Sequence, residues 1–331
     1  MKPAALLLTA ALLGTVHAEP PLIYTKTIPL PGVEGRFDHA ACDVKTHRLF
    51  FAALGNNTLE IVDVEAATRV HTITGLKKPT GVLFLAEWNV IVVANGDDGT
   101  CRFYDGTSYA EKGRVTGVAD ADNLRYDAKA KRIYLGYGEG ALGVIDPAAM
   151  KLLFPSIPLA KHPESFQLEQ NGPRIFVNVP DAGCIAVVDR VEAKVIATWP
   201  VTQAQANFPM TLDEPGHRLY IGTRQPAKVL AFDTATGKLA AESPLKGDVD
   251  DLFYDASRQL LMASCGEGFI DFLSTTAPDK LSPLPPLSSA PGARTAYWSA
   301  AWPWFCLAVP HRGVQAAEIR IYGMGKAKEP K

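Results

Sequence analysis

A unit of about 42 residues recurs along the whole chain, and it leaves few folds open. A short valine-rich run closing on an acidic residue returns at Asp63, Asp105, Asp146, Asp189 and Asp233, spaced 42, 41, 43 and 44 residues apart. Weaker copies end at Ser274 (GFIDFLS) and Gly323 (EIRIYG). Upstream of each lies a second β-rich run, such as WNVIVVAN (88–95), KRIYLGY (131–137) or PRIFVNV (173–179), and before it a shorter apolar one, such as GVLFLA (81–86). A fourth follows the acidic turn, as in KVIATWP (194–200). Four short strands in about 42 residues, broken by Gly, Asn, Asp and Pro and showing no helical period, make one β-propeller blade. The expected fold is all-β: a single seven-bladed β-propeller with four antiparallel strands per blade. The seventh repeat stops after its third strand, near Tyr322, so Leu22–Leu30 (LIYTKTIPL) is expected to supply the missing strand and close the ring.

The first residues set the expected compartment. Met1-Lys2, an apolar run from Ala4 to Val16 and the small-residue exit Val16-His17-Ala18 read as a secretory leader cut before Glu19. The expected organisation is therefore leader 1–18, propeller 19–325 and a solvated tail over 326–331, in a periplasmic or secreted protein. No later run approaches the roughly 18 apolar residues that span a bilayer. Losing Lys2 leaves 32 basic and 35 acidic side chains, a net of −3, which argues against a phosphate-neutralising nucleic-acid surface. A monomer is expected. Cysteines 42, 101, 184, 265 and 306 form no CxxC or CxxCH motif, and most sit in apolar strand patterns, so reduced buried thiols are expected.

The run VIVVANGDDGTCRFYDGTS (90–108) resembles the strand–turn–strand unit of the YVTN-repeat propellers, with VVAN where those proteins carry their name-giving tetrapeptide. Together with GRFDHAACD (35–43), HPESFQLE (162–169) and GDVDDLFYDASRQLL (247–261), it makes residues 22 to 323 similar to the bacterial YncE-like branch of that family. The resemblance implies the fold. It implies no single activity, because related propellers include binding modules, adhesins, subunits of quinoprotein or cytochrome enzymes, and a few lyases or lactonases.

Propeller geometry sorts the loops onto two faces. On one, DVKTHR, DAKAKR, DEPGHR and DASR, together with the recurring Asp63, Asp105, Asp146, Asp189 and Asp233, read as side chains that hold their own turns. On the other, the links between blades carry residues that turn formation does not require: Arg36, Asp38, His39, Lys78, Asp122, Asn123, His162, Glu164, Asn207, Asp250, Asp251 and Arg294. Irregular chemistry at regular positions is the signature of a site grafted on a repeat. Arg36, Asp38, His39, Asp122, Asn123, His162, Glu164, Asp250, Asp251 and Arg294 are expected to converge on an axial funnel, with Tyr137, Glu139, Arg224, Glu267 and His311 at its rim. Solvated charges and inter-blade ion pairs are the plainer alternative.

Arg36 and Arg294, in neighbouring links, suggest a clamp for a carboxylate or phosphate. The leading reading is thus a non-catalytic propeller binding a small anionic ligand, a glycan or a protein partner. His39, His162 and Glu164, with Asp38 and Asp122, suit a divalent metal, and a metal-assisted lyase or lactonase is the alternative. No GxSxG or P-loop is present. The cluster Tyr297, Trp298, Trp302, Trp304 and Phe305 is expected to pack between the last and first blades. Because the funnel side chains are expected to face solvent, truncating His39, His162 or Arg294 is expected to leave stability nearly unchanged.

Overall fold

The structure is a computed structural model describing residues 20–277 and 279–325; the expected leader and tail lie outside these residues. Seven four-stranded antiparallel sheets surround a central axis. The described residues hold no α-helix, only 3-10 turns at Leu54–Asn56 and Pro180–Ala182. Six sheets run in chain order from axis to rim. The seventh places Thr295–Tyr297 innermost, then Trp304–Val309 and Glu318–Met324, with Leu22–Pro29 as its outer strand. That last pairing runs from Leu22 opposite Met324 to Pro29 opposite Glu318, so the ring closes as the truncated seventh repeat requires.

Why the middle strands read as unbroken apolar runs follows from this packing. Each blade has neighbours on both faces, so both side-chain directions of a strand are buried. Val90–Asn95 is buried at every position and Arg48–Ala53 at all but its first, whereas the rim strand Lys194–Pro200 is exposed or half-buried throughout. The core is accordingly seven apolar layers, one in each gap between blades.

The acidic turns behave as the sequence suggests. Asp63, Asp105, Asp146, Asp189 and Asp233 each accept backbone N–H groups two or three residues on. Asp43, Asp127, Asp213 and Asp255 do the same in the neighbouring turns. All five cysteines are free; four are buried and Cys42 is half-buried, donating its thiol to the Tyr297 hydroxyl at 3.1 Å. The aromatic cluster is split, not shared. Tyr297, Trp302 and Trp304 face the first blade, where His47 meets both tryptophans edge-on. Trp298 and Phe305 face the sixth, against Phe253. Neighbouring positions on one strand point to opposite faces, so a single cluster was never available to them.

Candidate functional site

Each link between blades ends on the same backbone pattern. The N–H groups of Asp38, Asp122 and Glu164 donate to Ala52, Gly136 and Asn178 on the second strand of their own blades, at 2.8–3.0 Å. Counting back from Val82, Met210, Leu252 and Thr295 puts Thr80, Phe208, Asp250 and Arg294 at the corresponding place in the other four links, the first three within a register shift of their strands. A ring of seven side chains results: Asp38, Thr80, Asp122, Glu164, Phe208, Asp250 and Arg294. Arg36, Lys78, Asp120 and His162 form a tier above it, two residues upstream of their ring partners.

The ring surrounds a cavity of about 310 Å³, within the size range of small-ligand sites. Arg36, Asp38, His39, Asp122, Asn123, His162, Glu164 and Asp250 line it, together with Lys78, Thr80, Asp120, Ser165, Phe208 and Arg224. Asp251 lies deeper, in the central channel of about 390 Å³ beside Arg125. Of the expected rim groups, Arg224 reaches the cavity. Tyr137 instead bonds Ser156, Glu267 accepts the Gly247 N–H, His311 pairs with Glu34, and Glu139 is not part of the lining. Asn207 is buried, donating to Asn178 and the Cys184 carbonyl, and serves packing.

One side of the ring is closed by its own charges. Arg294 bonds Asp248 at 2.6 Å and meets Asp250 at 3.0 Å; Arg224 also pairs with Asp250 and lies over the Phe208 ring. This corrects two expectations. Arg294 is engaged by two carboxylates and lies outside the cavity lining, so Arg36 and Arg294 form no free anion clamp. Nor do the funnel groups face open solvent: the side chains of Asp38, His39 and Asp122 keep 13%, 24% and 15% exposure.

The other side is open and acidic. From blade two Lys78 and Thr80 reach the cavity, and Thr80 turns its hydroxyl to the Ala121 carbonyl. A side chain at Gly81 would bring a Cβ to 2.2 Å from the Asp122 carbonyl oxygen, so glycine there lets blades two and three lie close. Blades one and three meet beside Thr80: His39 Nε2 is 3.5 Å from Asp38 and 3.9 Å from Asp122. Beyond Asp122 stands His162, whose Nε2 is 4.0 Å from the other carboxylate oxygen and whose Nδ1 is 2.6 Å from the Gly138 carbonyl. Two groups of potential ligands result, Asp38–His39–Asp122 and Asp122–His162–Glu164, in each of which the three ligand atoms lie within 4.8 Å of one another.

Electrostatics separates these groups. Burial and the neighbouring Asp122 push Glu164 up to about 8, and burial pushes Asp251 up to about 7 and Asp38 up to about 6. Asp122 goes the other way despite its burial, held down by His162 beside it and by the charge of His39. His162 is raised to about 9, chiefly by the facing Asp122.

The chain is similar in structure to known propellers. A chain in the crystal structure of a mitotic checkpoint complex superposes with a TM-score of 0.78 at 11% identity, covering 98% of this chain and 99% of that one. The WD40 repeats of RRP9 give 0.78 at 10% identity, over 91% and 97%. A chain of Kuenenia stuttgartiensis hydrazine synthase gives 0.74 at 13% identity, over 84% and 95%. The likeness is one of fold. At the level of sequence, no family model and no curated protein matches. A propeller fold assigns no activity, so the chemistry must be read from the residues of this chain.

Proposed function

We propose that the axial funnel is a metal-dependent binding site, with a divalent cation held by Asp122, His162 and Glu164. The observation that carries this is the His162 ring. Its Nδ1 is 2.6 Å from the Gly138 carbonyl, which makes Nδ1–H the donor there and turns Nε2 toward Asp122, 4.0 Å away; a divalent cation would displace the proton that Nε2 holds beside that carboxylate. Mixed imidazole and carboxylate ligands suit zinc or manganese. Three protein ligands leave positions open toward the funnel mouth. Five acidic side chains line the cavity, with the permanent cations Arg36, Lys78 and Arg224 and two histidines whose proton affinity is raised. The metal-free cavity is therefore mixed in charge, and a divalent cation would give the small anionic ligand suggested by the sequence a further partner.

Calorimetric titration of chelator-treated protein with Zn²⁺ or Mn²⁺ tests this. Binding is expected at micromolar or tighter affinity in the full chain, and a loss of at least 100-fold in His162→Ala. Absence of binding up to 1 mM metal, or an unchanged affinity in the variant, would sink the reading.

A catalytic use of the same funnel is the second reading. It is favoured by one observation: neighbouring carboxyls whose environments drive their pKa values apart, Asp122 held ionised and Glu164 raised. We place this activity in a YncE-like propeller working outside the cytoplasm, on the support of the leader-like residues 1–18 and the VVAN-type repeat.

A further inference from the structure

We infer that the funnel holds two divalent cations bridged by Asp122, one against Asp38 and His39 and the other against His162 and Glu164, with a small oxyanion completing both. This rests on the metal-binding reading above and extends it from one ion to two. Asp122 is the only residue common to the two ligand groups of the described chain. Its oxygens divide between them: Oδ1 is the one nearer His39 Nε2, at 3.9 Å, and Oδ2 the one nearer His162 Nε2, at 4.0 Å. A carboxylate presenting one oxygen to each of two sites is how a two-metal centre, with ions about 3.5–4 Å apart, is bridged.

Three further features fit two ions better than one. The Glu164 carboxylate has no hydrogen-bond or ion-pair partner among the described residues, although it is half-buried and faces Asp122. A carboxylate so placed beside another favours a proton or a cation. Charge balance points the same way. Asp38, Asp122 and Glu164 sum to −3 when ionised, so one dication leaves −1 and two give +1. Nearby fixed cations offset the deficit only in part: Lys78 pairs with Asp120 at 3.1 Å, and Arg36, 45% exposed, meets Asp38 at 3.5 Å. Only the two-ion state turns the funnel attractive to an oxyanion, with Arg36 at its mouth. Finally, Gly81 lets blade two lie against the Asp122 carbonyl, where a Cβ would come to 2.2 Å; a larger residue there would displace Asp122, the residue the two groups share.

The experiment is metal counting on the full chain, freed of metal by chelator, by equilibrium dialysis against Mn²⁺ with elemental analysis, and by electron paramagnetic resonance of the loaded protein. The wild type should hold two ions per chain and show the spin-coupled spectrum of a bridged pair. Glu164→Gln and His39→Ala should each retain one ion with an uncoupled six-line spectrum, and Asp122→Asn should retain neither. Inorganic phosphate should bind the two-ion form at least tenfold more tightly than the metal-free form. One ion in the wild type, lost in Glu164→Gln and kept in His39→Ala, would overturn the two-ion inference and leave the single-ion reading standing. No ion at all would overturn both. Two ions with uncoupled spectra would remove the Asp122 bridge, and phosphate binding that ignores metal would remove the oxyanion. Because the wild-type count and spectrum decide the main point, a variant that fails to fold does not blunt the test.

Discussion

Glu164, Asp251, Asp38 and His162 share a direction of proton affinity, and it sets how stability varies with pH. The three carboxyls are raised to about 8, 7 and 6, from ordinary values near 4, so the folded chain keeps protons that the unfolded chain releases. Their contribution to stability therefore falls as pH rises from about 4.5 to 8. His162, raised to about 9, stabilises fully below 6.5 and loses that contribution as pH climbs through 9, which is the same sign. Asp122 is depressed and acts below pH 3.8, outside this window. The metal-free chain is thus expected to melt at a lower temperature at pH 8 than at pH 5.5. Divalent metal, which competes with the same protons, should flatten or reverse the slope. Melting curves at both pH values, with and without Mn²⁺, check this; a metal-free melting temperature that rises toward pH 8 would contradict it. Much of this site was legible in the sequence, because Asp38, Asp122, His162 and Glu164 stand out where a turn needs only Gly, Pro or Asn. What escaped was a silent partner. Gly81 reads only as the start of the strand GVLFLA, and only the structure shows that it lies against the Asp122 carbonyl.

At the scale of strands and links, the same ring position performs two jobs. In blades three and four it points a carboxylate into the cavity; in blade seven it carries Arg294, which ties its link to Asp248 and Asp250 of blade six. Sequence alone could not separate these roles. An arginine in a link looks the same whether its partner is a ligand or an aspartate forty-odd residues upstream. Arg294→Ala is accordingly expected to destabilise the fold by about 1–2 kcal/mol, by leaving Asp248 and Asp250 to share the one remaining cation, Arg224. The Arg294–Asp250 pair is four-fifths buried, so solvent screening discounts the larger cost of a wholly enclosed one. Chemical denaturation would show this as a lower midpoint at unchanged slope. A midpoint equal to wild type would return Arg294 to the ligand-binding set. The strand pattern was the more legible part, because burial on both faces of a blade writes itself as continuous apolar runs such as VIVVAN.

For the whole molecule, closure depends on a single pairing of distant segments. Deleting residues 19–30 should strip the outer strand from blade seven and expose an edge along Glu318–Met324, and would also remove Leu22, Ile28 and Leu30 from the layers flanking that blade. Aggregation or a large fall in melting temperature is expected by light scattering and calorimetry. A truncated chain that stays monodisperse and melts like wild type would show the ring to be held by its apolar layers alone.

That pairing also fixes an order of events in time. Leu22 lies opposite Met324, so the strand synthesised first cannot find its hydrogen-bonding partner until the last is made. Contacts so remote in sequence form slowly, since the intervening chain must be ordered before they are gained. Until then both Leu22–Pro29 and Glu318–Met324 are open to any other strand, including the corresponding segments of a second copy. Closure of the seventh blade is therefore the step at which a nascent chain commits either to its own ring or to exchange with a neighbour.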